Sequence, residues 1–460
     1  MKQKKDRDGQ LGVEINMNVT LINPTIGRIN NGRSYRKWVL EPLSLASLAG
    51  VTPEGIKLRI FDDRTEEINY NEPTDLVGIS VETTTALRSY EIADRFRKRG
   101  IPVVLGGFHP TLMPEEAKQH ADSIVVGQAE DIWAKVLEDS SNGHIKERYR
   151  GSPNGFLKGS KPSKKIFTGK NYLPFYLIET GRGCVFDCDF CAVREFFDES
   201  YYPRPVNTII EEISRSGKKN LLIVDDNVAS KKSHLEELCE RLIPLNVNWA
   251  SQASISVSEN EKLLDLMQKS GCKGLLIGFE SLVDENLRQM NKVANLRKKD
   301  YSRSIAKLRE RGIRVYGSFV IGYDSDTPKT ISDTLNFAVS EKLAISNLYP
   351  LTPIPSTPLY ARLKEEGRMI NSNWWLDYKH QYGDIVFQPK NFSPVELKKL
   401  CDKARREFYS WNSIITRSFD TQANSRSLSG TVLYFIANYL TRKEILAKEK
   451  TFLGYQHDTI

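Results

Sequence analysis

The sequence predicts a two-domain α/β protein ending in a mostly helical tail. Three observations carry this. Short apolar runs alternate with helical patterns across residues 17–141, a second alternation of the same kind fills 173–370, and a cysteine-rich loop stands directly behind the first strand of the second series. At 460 residues the chain is too long for one ordinary core. A hydrophobic content of 40% and a charged content of 27% fit a globular protein.

The elements follow in order. Residues 1–15 are polar and read as disordered. Met1–Arg7 is basic with no apolar stretch behind it, so no signal peptide is expected. Strands are predicted at Val19–Ile22, Lys57–Phe61, Leu76–Val81, Val103–Leu105 and Ser123–Val126. Helices are predicted near Leu43–Leu48, over Ser89–Arg99 and from Pro114, and a Gly- and Asn-rich loop runs through Gly32. Continuous apolar strands alternating with helices indicate a parallel sheet covered on both faces, a doubly wound fold. Ser, Gly, Asn, Lys and Pro dominate 142–172, which reads as a linker.

The second series has strands at Tyr176–Glu179, Leu221–Val224, Asn248–Gln252, Gly274–Phe279, Val315–Ile321 and Ile345–Leu348. Helices at about 207–215, 233–242, 259–269, 298–311 and 328–341 lie between them. Six strands separated by helices predict a partial, (β/α)6-type barrel, whose active site belongs at the C-terminal strand ends. Residues 371–460 form an accessory region with helices near 394–409 and 428–440.

The charge of +8 is modest for this length, and no basic-aromatic cluster stands out, so nucleic acid is not an expected partner. No apolar run is long enough to span a bilayer. The chain is expected to be cytoplasmic.

Three of the six cysteines fall at Cys184, Cys188 and Cys191, a CxxxCxxC spacing preceded by Gly181 and Gly183. Thiolates from one tight loop can hold an iron–sulfur cluster, and three of them leave the fourth iron of a 4Fe-4S cluster open. The same spacing also places residues on one helix face, where they would be small core residues. The Gly-rich, acidic context disfavours that helix, and zinc fits poorly without a nearby fourth ligand. Cys239, Cys272 and Cys401 sit in helical or strand contexts and read as buried thiols.

The loop, with Phe190 just before the last cysteine, resembles the signature of the radical S-adenosylmethionine (SAM) superfamily. The resemblance implies a 4Fe-4S cluster on Cys184, Cys188 and Cys191. It implies SAM chelated at the open iron, an external electron donor of flavodoxin or ferredoxin type, and a 5′-deoxyadenosyl radical that abstracts hydrogen from substrate. Phe190 becomes a neighbour of the adenine. Asp225 and Asp226 end the second strand, where the family places a polar motif near the SAM amino group; the usual Gly-Gly-Glu is absent. Read from the residues alone, two carboxylates there form a cation site or a helix cap. Gln252 ends the third strand and points at the barrel mouth if the register holds. Glu280 ends the fourth, at the family's ribose-binding position, or is an ordinary capping Glu. Gly317 and Gly322 match the adenine-side strand, where glycine permits close approach. Tyr349–Pro358 resembles the final strand exit, or is a proline-stiffened loop.

The N-terminal half, with Gly106, Gly107, His109 and Gly127 at strand exits and Ser80 at the end of the third strand, resembles the Rossmann-like cobalamin-binding domain fused to many radical SAM enzymes. These five are the candidate cobalamin contacts. For His109 the alternative is a loop histidine capping local backbone. No Asp-x-His-x-x-Gly motif occurs in the first loop, where Thr25–Asn30 stand, so the resemblance implies cobalamin without a protein histidine at cobalt.

The leading functional expectation is a cobalamin-dependent radical SAM methyltransferase acting on an unactivated carbon of a small molecule or lipid. A radical SAM isomerase or cyclase using cobalamin without methyl transfer is the first alternative, and a non-catalytic cobalamin- or SAM-sensing protein the second. A methylthio-group transferase is disfavoured because the first 183 residues contain no cysteine for a second cluster. Asn373–Tyr378 and Tyr382–Asp384 read either as a substrate lid or as aromatics packing the tail onto the barrel. Leu428–Leu440, with Arg442 and Lys443 behind it, reads as a core or interface helix in preference to one lying on a membrane.

Overall fold

The structure, a computed structural model, describes residues 3–5, 11–13, 16–27, 39–155, 161–297, 300–449 and 451–454. The expected disorder of 1–15, the loop through Gly32 and the first residues of the expected helix 298–311 lie wholly or partly outside these. The chain divides into two compact units. The first reaches Leu173 and takes in Asn373–Tyr382 and the described residues from 451 onward; the second comprises Pro174–Ser372 and Gly383–Glu449.

The first unit is built on six strands: β1 (Asn18–Asn23), β2 (Lys57–Asp62), β3 (Leu76–Ser80), β4 (Val103–Gly106), β5 (Ser123–Val126) and β6 (Arg148–Arg150). Their order is β2-β1-β3-β4-β5-β6, and every pairing is parallel. Val19, Leu21, Leu76, Val104 and Val125 are buried between covering helices, which is why these strands read as unbroken apolar runs. The order reverses direction between β1 and β3, and ligands of such sheets bind at that switch, outside the C-terminal strand ends. Helices α1 (Leu43–Val51), α2 (Ala86–Arg97) and α3 (Trp133–Ser141) lie on the sheet.

Two expectations about extent are corrected. The stretch 142–172 is not a free linker. It supplies β6, whose Tyr149 is buried with its hydroxyl donating to Asp139 Oδ2 at 2.8 Å, and Phe167, which joins the same core. A three-residue strand with one inward side chain is too short to show a period. The aromatics Trp374 and Trp375, expected beside the barrel, belong instead to the first unit and are fully buried.

The second unit carries β7 (Tyr176–Ile178), β8 (Asn220–Ile223), β9 (Asn248–Ala253), β10 (Cys272–Glu280), β11 (Arg314–Ile321) and β12 (Ile345–Pro350). Each strand lies parallel beside its predecessor in sequence, in a single open sheet. Alternate residues divide cleanly. Leu221, Trp249, Leu275, Ile277, Phe319 and Leu348 are buried under helices, while Leu222, Gln252, Leu276, Ser318, Val320 and Asn347 are half-buried on the opposite, concave face.

The covering helices are α4 (Val206–Ser216), α5 (Lys232–Leu242), α6 (Glu261–Lys269), α7 (Tyr301–Glu310) and α8 (Pro328–Ser340). Several start on side-chain caps. Asn260 accepts from Leu263 N, Asp300 from Arg303 N, and Thr327 forms a reciprocal box with Thr330. Beyond β12 come α9 (Pro358–Glu365), α10 (Pro394–Phe408), α11 (Trp411–Ser418) and α12 (Leu428–Lys448), the expected helical tail.

Candidate active site

The cysteine loop leaves β7 at the C-terminal edge of the second sheet. It begins behind a two-strand hairpin, Gly181–Gly183 paired with Tyr201–Pro203. Gly183 has φ of 85°, and an added Cβ would run into the backbone oxygen of Ser200, so only glycine fits just ahead of Cys184. Cys188 is buried, Cys184 and Cys191 are half-buried, and Cys191 opens the short helix Ala192–Phe197.

Other strand exits pin the loop. Asp189 N–H donates to Met290 O at 3.1 Å, and Leu359 N–H donates to Asp189 O at 2.9 Å. The Asp189 carboxylate accepts from the Tyr323 hydroxyl at 2.6 Å and from Arg362 at 3.4 Å. Asn291 Nδ2 donates to Asp187 Oδ2 at 2.6 Å. The loop bearing the three thiols is thus held by residues following β10, β11 and β12. Burial pushes the Cys188 thiol up to about 11 and raises Cys191 as well, while the Lys292 ammonium pulls both the other way.

Lys292 gives the site its charge. Its Nζ stands 2.9 Å from Glu280 Oε1, and both side chains are nearly enclosed. Burial opposes the ammonium, but Glu280 and Cys188 outweigh it and hold the pKa above the usual lysine range. Glu280 sits at a bulge where β10 slips against β11, with φ of 63°. Gly278 makes room for this turn, since an added Cβ would collide with Glu280 Oε1. On the neighbouring strand end, Asn227 Nδ2 lies 3.7 Å from Cys184 Sγ.

The two aspartates behind β8 have different partners. Asp225 is buried, and its oxygens accept from Thr180 N at 2.6 Å, from the Thr180 hydroxyl and from the Tyr201 hydroxyl at 3.3 Å. It fastens the end of β7 to β8. Asp226 is half-buried, and Oδ2 accepts from Gly183 N at 2.9 Å. Gln252 stands on the concave face, and Phe190 is half-buried against the core beside the loop.

The two glycines expected on the adenine side, Gly317 within β11 and Gly322 just past its end, have different settings. Gly317 lies on the helix-covered face, where a Cβ would meet Leu343, Phe319 and Phe279; the concave positions are Ser318 and Val320. One residue of register exchanges the faces of a strand. Gly322 has φ of 121° and closes a turn in which its N–H and that of Tyr323 donate to Asp326 Oδ2, at 2.7 and 3.1 Å. An added Cβ there would meet Leu397, Leu351 and Phe387.

In the first unit, Ser80 and Gly106 end β3 and β4 side by side and are half-buried. Ser80 Oγ lies 3.2 Å from Ser44 Oγ. Gly107, at φ of 106°, lets the chain pass against Val81 O, and Gly127 N–H donates to Thr111 Oγ1 at 2.9 Å. His109 is fully enclosed. Its Nδ1 lies 3.3 Å from Thr83 Oγ1 and its Nε2 2.9 Å from Glu116 Oε1. With no exposed surface and both nitrogens engaged, it stands as an internal strut of the first unit.

A family model for the radical SAM superfamily matches residues 178–338, and a model for the B12 binding domain matches residues 37–137. The chain thus carries a radical SAM domain fused behind a B12 binding domain, the combination of the cobalamin-dependent radical SAM enzymes. This radical SAM protein is 29% identical over 432 residues, 89% of its own length and 93% of the relative's, to the bacteriochlorophyllide d C-8(2)-methyltransferase of Chlorobaculum tepidum. Its fold is similar to that of the radical SAM methyltransferase TsrM of Kitasatospora setae, with a TM-score of 0.60 at 16% identity, covering 76% of this chain and 75% of that one. It is also similar to that of the cobalamin-dependent radical SAM enzyme OxsB, with a TM-score of 0.65 at 15% identity, covering 94% of this chain and 72% of that one.

Sequence reasoning missed Lys292, Asn227 as a neighbour of sulfur, and the Asp189–Tyr323–Arg362 clamp of the radical SAM loop. Lys292 stands in an ordinary polar run, Gln289-Met290-Asn291-Lys292, and only the fold brings it to Glu280.

Proposed function

We propose that this radical SAM enzyme transfers a methyl group to an unactivated carbon of a large, apolar small molecule, of the tetrapyrrole kind named for its 29% identical relative. The single observation that supports this most is the CxxxCxxC loop, clamped at the mouth of the partial barrel beside the buried Lys292–Glu280 pair, in a chain that also carries the B12 binding domain.

The residues present fit the groups this reading needs. Three thiols from one loop suit three irons of a 4Fe-4S cluster. A buried ammonium and the Asn227 amide beside them favour an anionic, sulfur-rich centre. Gln252 and Glu280 offer polar groups at the strand ends, Asp226 adds a half-buried carboxylate, and Phe190 an apolar ring, for the nucleoside and amino-acid parts of SAM. At the exits of β3, β4 and β5, beside the β1/β3 switch, Ser80, Gly106, Gly107 and Gly127 offer backbone suited to a flat corrin face. Bound there, the cluster would supply the electron that cleaves one SAM to methionine and a 5′-deoxyadenosyl radical, and the corrin would carry a methyl group taken from a second SAM.

The chain's own contribution is positional. Glu280, held by Lys292, keeps one carboxylate oxygen for a hydroxyl donor. The Asp189 clamp fixes the cysteine loop against the exits of β10, β11 and β12. The half-buried residues Leu222, Leu276 and Val320 give the concave face an apolar wall that keeps water from a radical. A labile cluster and an external electron donor of flavodoxin or ferredoxin type are compatible with the reducing cytoplasm, which supports that location for the enzyme.

The test is anaerobic reconstitution with iron, sulfide and cobalamin, followed by SAM and a reductant. Formation of 5′-deoxyadenosine, corrin absorption retained after desalting, and label carried from methyl-deuterated SAM into a tetrapyrrole acceptor are expected. An unmethylated, rearranged product would shift the assignment to an isomerase or cyclase. A cluster with no corrin would reduce the first unit to a scaffold and overturn the methyltransferase reading.

A further inference from the structure

Helices α11 and α12 of the second unit are apolar on the side facing solvent. Fourteen large hydrophobic side chains are exposed among the described residues, and nine of them lie between Trp411 and Leu446. On α11 they are Trp411, Ile415 and Phe419, spaced four apart along one face, with Phe419 69% exposed. On α12 they begin at Leu428, 84% exposed, and continue through Val432, Ile436 and Tyr439 at helical spacing, with Leu433 and Leu446 on their flanks. Trp411 and Tyr439 stack with ring centroids 6.4 Å apart and join the two stripes into one surface.

The polarity of α12 is inverted relative to a surface helix. Its buried side holds Asn438, whose Nδ2 donates to Ala344 O at 3.1 Å and whose Oδ1 accepts from the enclosed Arg417 at 3.1 Å. Tyr434 is buried beside it and donates to Ile414 O at 2.9 Å. The groups that could face water are thus turned inward, and the aliphatic ones outward. Such a surface on a lone domain marks an interaction site. Of the expected core or interface roles, the exposed stripe excludes a core helix, because the apolar side is the uncovered one.

Charge selects the occupant. The exposed residues from 411 to 448 include two cations, Arg426 and Lys443, and no carboxylate. Lys443 Nζ stands 4.2 Å from the Tyr439 ring, at the edge of the apolar stripe. The acids of this segment are withdrawn: Asp420 is buried against Arg309, and Glu444 pairs with Lys448. A second copy of the same face would bring cations together with no anion between them. An anionic lipid surface supplies both the apolar layer and the opposite charge, and Trp and Tyr are side chains that settle at its boundary. At 21 residues α12 is about 31 Å long, and no described helix is apolar enough to cross a bilayer.

We propose that the α11–α12 face is a peripheral membrane-docking surface that lays these two helices into the headgroup boundary of an anionic bilayer. The surface stands apart from the chemistry of the cysteine loop, so its test is independent of the methyltransferase reading. The whole reconstituted protein is sedimented with vesicles of phosphatidylcholine alone and of phosphatidylcholine mixed with phosphatidylglycerol, at low and high salt. Association with the mixed vesicles, weakened by salt, is expected. The double variant Val432→Glu/Ile436→Glu, and separately Lys443→Glu, should weaken it by about tenfold or more while the cluster absorption is retained. Equal sedimentation of the parent protein with and without vesicles would overturn the proposal. So would a parent dimer that becomes a monomer in the double variant with no vesicle binding, since a second copy would then cover the face. If the variants fail to fold, the parent's preference for the anionic vesicles and its salt dependence decide the matter alone.

Discussion

The indole Nε1 of Trp375 donates to Glu116 Oε1 at 3.0 Å, across 259 positions of sequence. The same carboxylate oxygen accepts from the Tyr90 hydroxyl and lies 2.9 Å from His109 Nε2. Glu116 therefore gathers groups from α2, from the loop behind β4 and from the returning segment Asn373–Tyr382. That contact explains why two aromatics far along the chain belong to the N-terminal fold.

Burial alone would raise the Glu116 carboxyl, but the hydrogen bonds from His109, Trp375 and Tyr90 outweigh it and hold the pKa below the usual 4.5. A depressed carboxylate stabilises the fold above its unfolded value, and the contribution is lost as pH falls through the folded one. Glu116→Gln is expected to flatten the acid limb of thermal unfolding below about pH 4.5. Trp375→Phe should cost about 1–2 kcal/mol in chemical denaturation. An unchanged acid limb in Glu116→Gln would remove the hub role.

Lys292 places a positive charge beside the cysteine loop, so neutralising it disfavours the more negative, reduced cluster. Lys292→Met should move the cluster midpoint more negative by roughly 60 mV, one tenfold step for a one-electron couple. Lys292→Arg should retain most of the parent value. Redox titration followed by electron paramagnetic resonance checks this, and iron analysis confirms that the cluster is present in both. Cys188→Ala serves as the reference that loses it.

Asp225 is enclosed, and burial pushes its carboxyl up to about 7 despite the bonds from Thr180. Between the ordinary 3.8 and that value the folded state holds a proton that the unfolded chain releases. Stability is therefore full below about 3.8, declines as pH rises and levels off above about 7. Asp225→Asn should abolish this slope in denaturant titrations between these limits, at a constant cost of about 1 kcal/mol for the acceptor it weakens. A slope that persists in the variant would assign it to another group.

Gly317 lies on the helix-covered side of β11. Gly317→Ala should destabilise the fold by about 1–3 kcal/mol, as a methyl forced against Leu343 and Phe279, yet leave SAM affinity of the folded protein within twofold. Ser318→Val, on the concave face, should do the reverse. Denaturation midpoints set against equilibrium dialysis of SAM separate the two, and a selective loss of SAM binding in Gly317→Ala would contradict the register.

The sequence by itself determined the alternation of strands and helices, hence two parallel sheets, because a buried strand and an amphipathic helix carry distinct local periods. It also determined the cysteine loop, since three thiols in eight residues behind a strand have a meaning that spacing alone conveys. Only the tertiary structure decided which polar groups are consumed internally. Asp225 and His109 look available in sequence and are engaged by Thr180 and Thr83, 45 and 26 positions away, while Lys292 looks ordinary and is drawn into the site. Gly317 and the outward face of α12 turn on register and on which side of an element meets the core. A side chain's type is local, but its surroundings are set by contacts between distant segments, and those contacts form only when the chain packs.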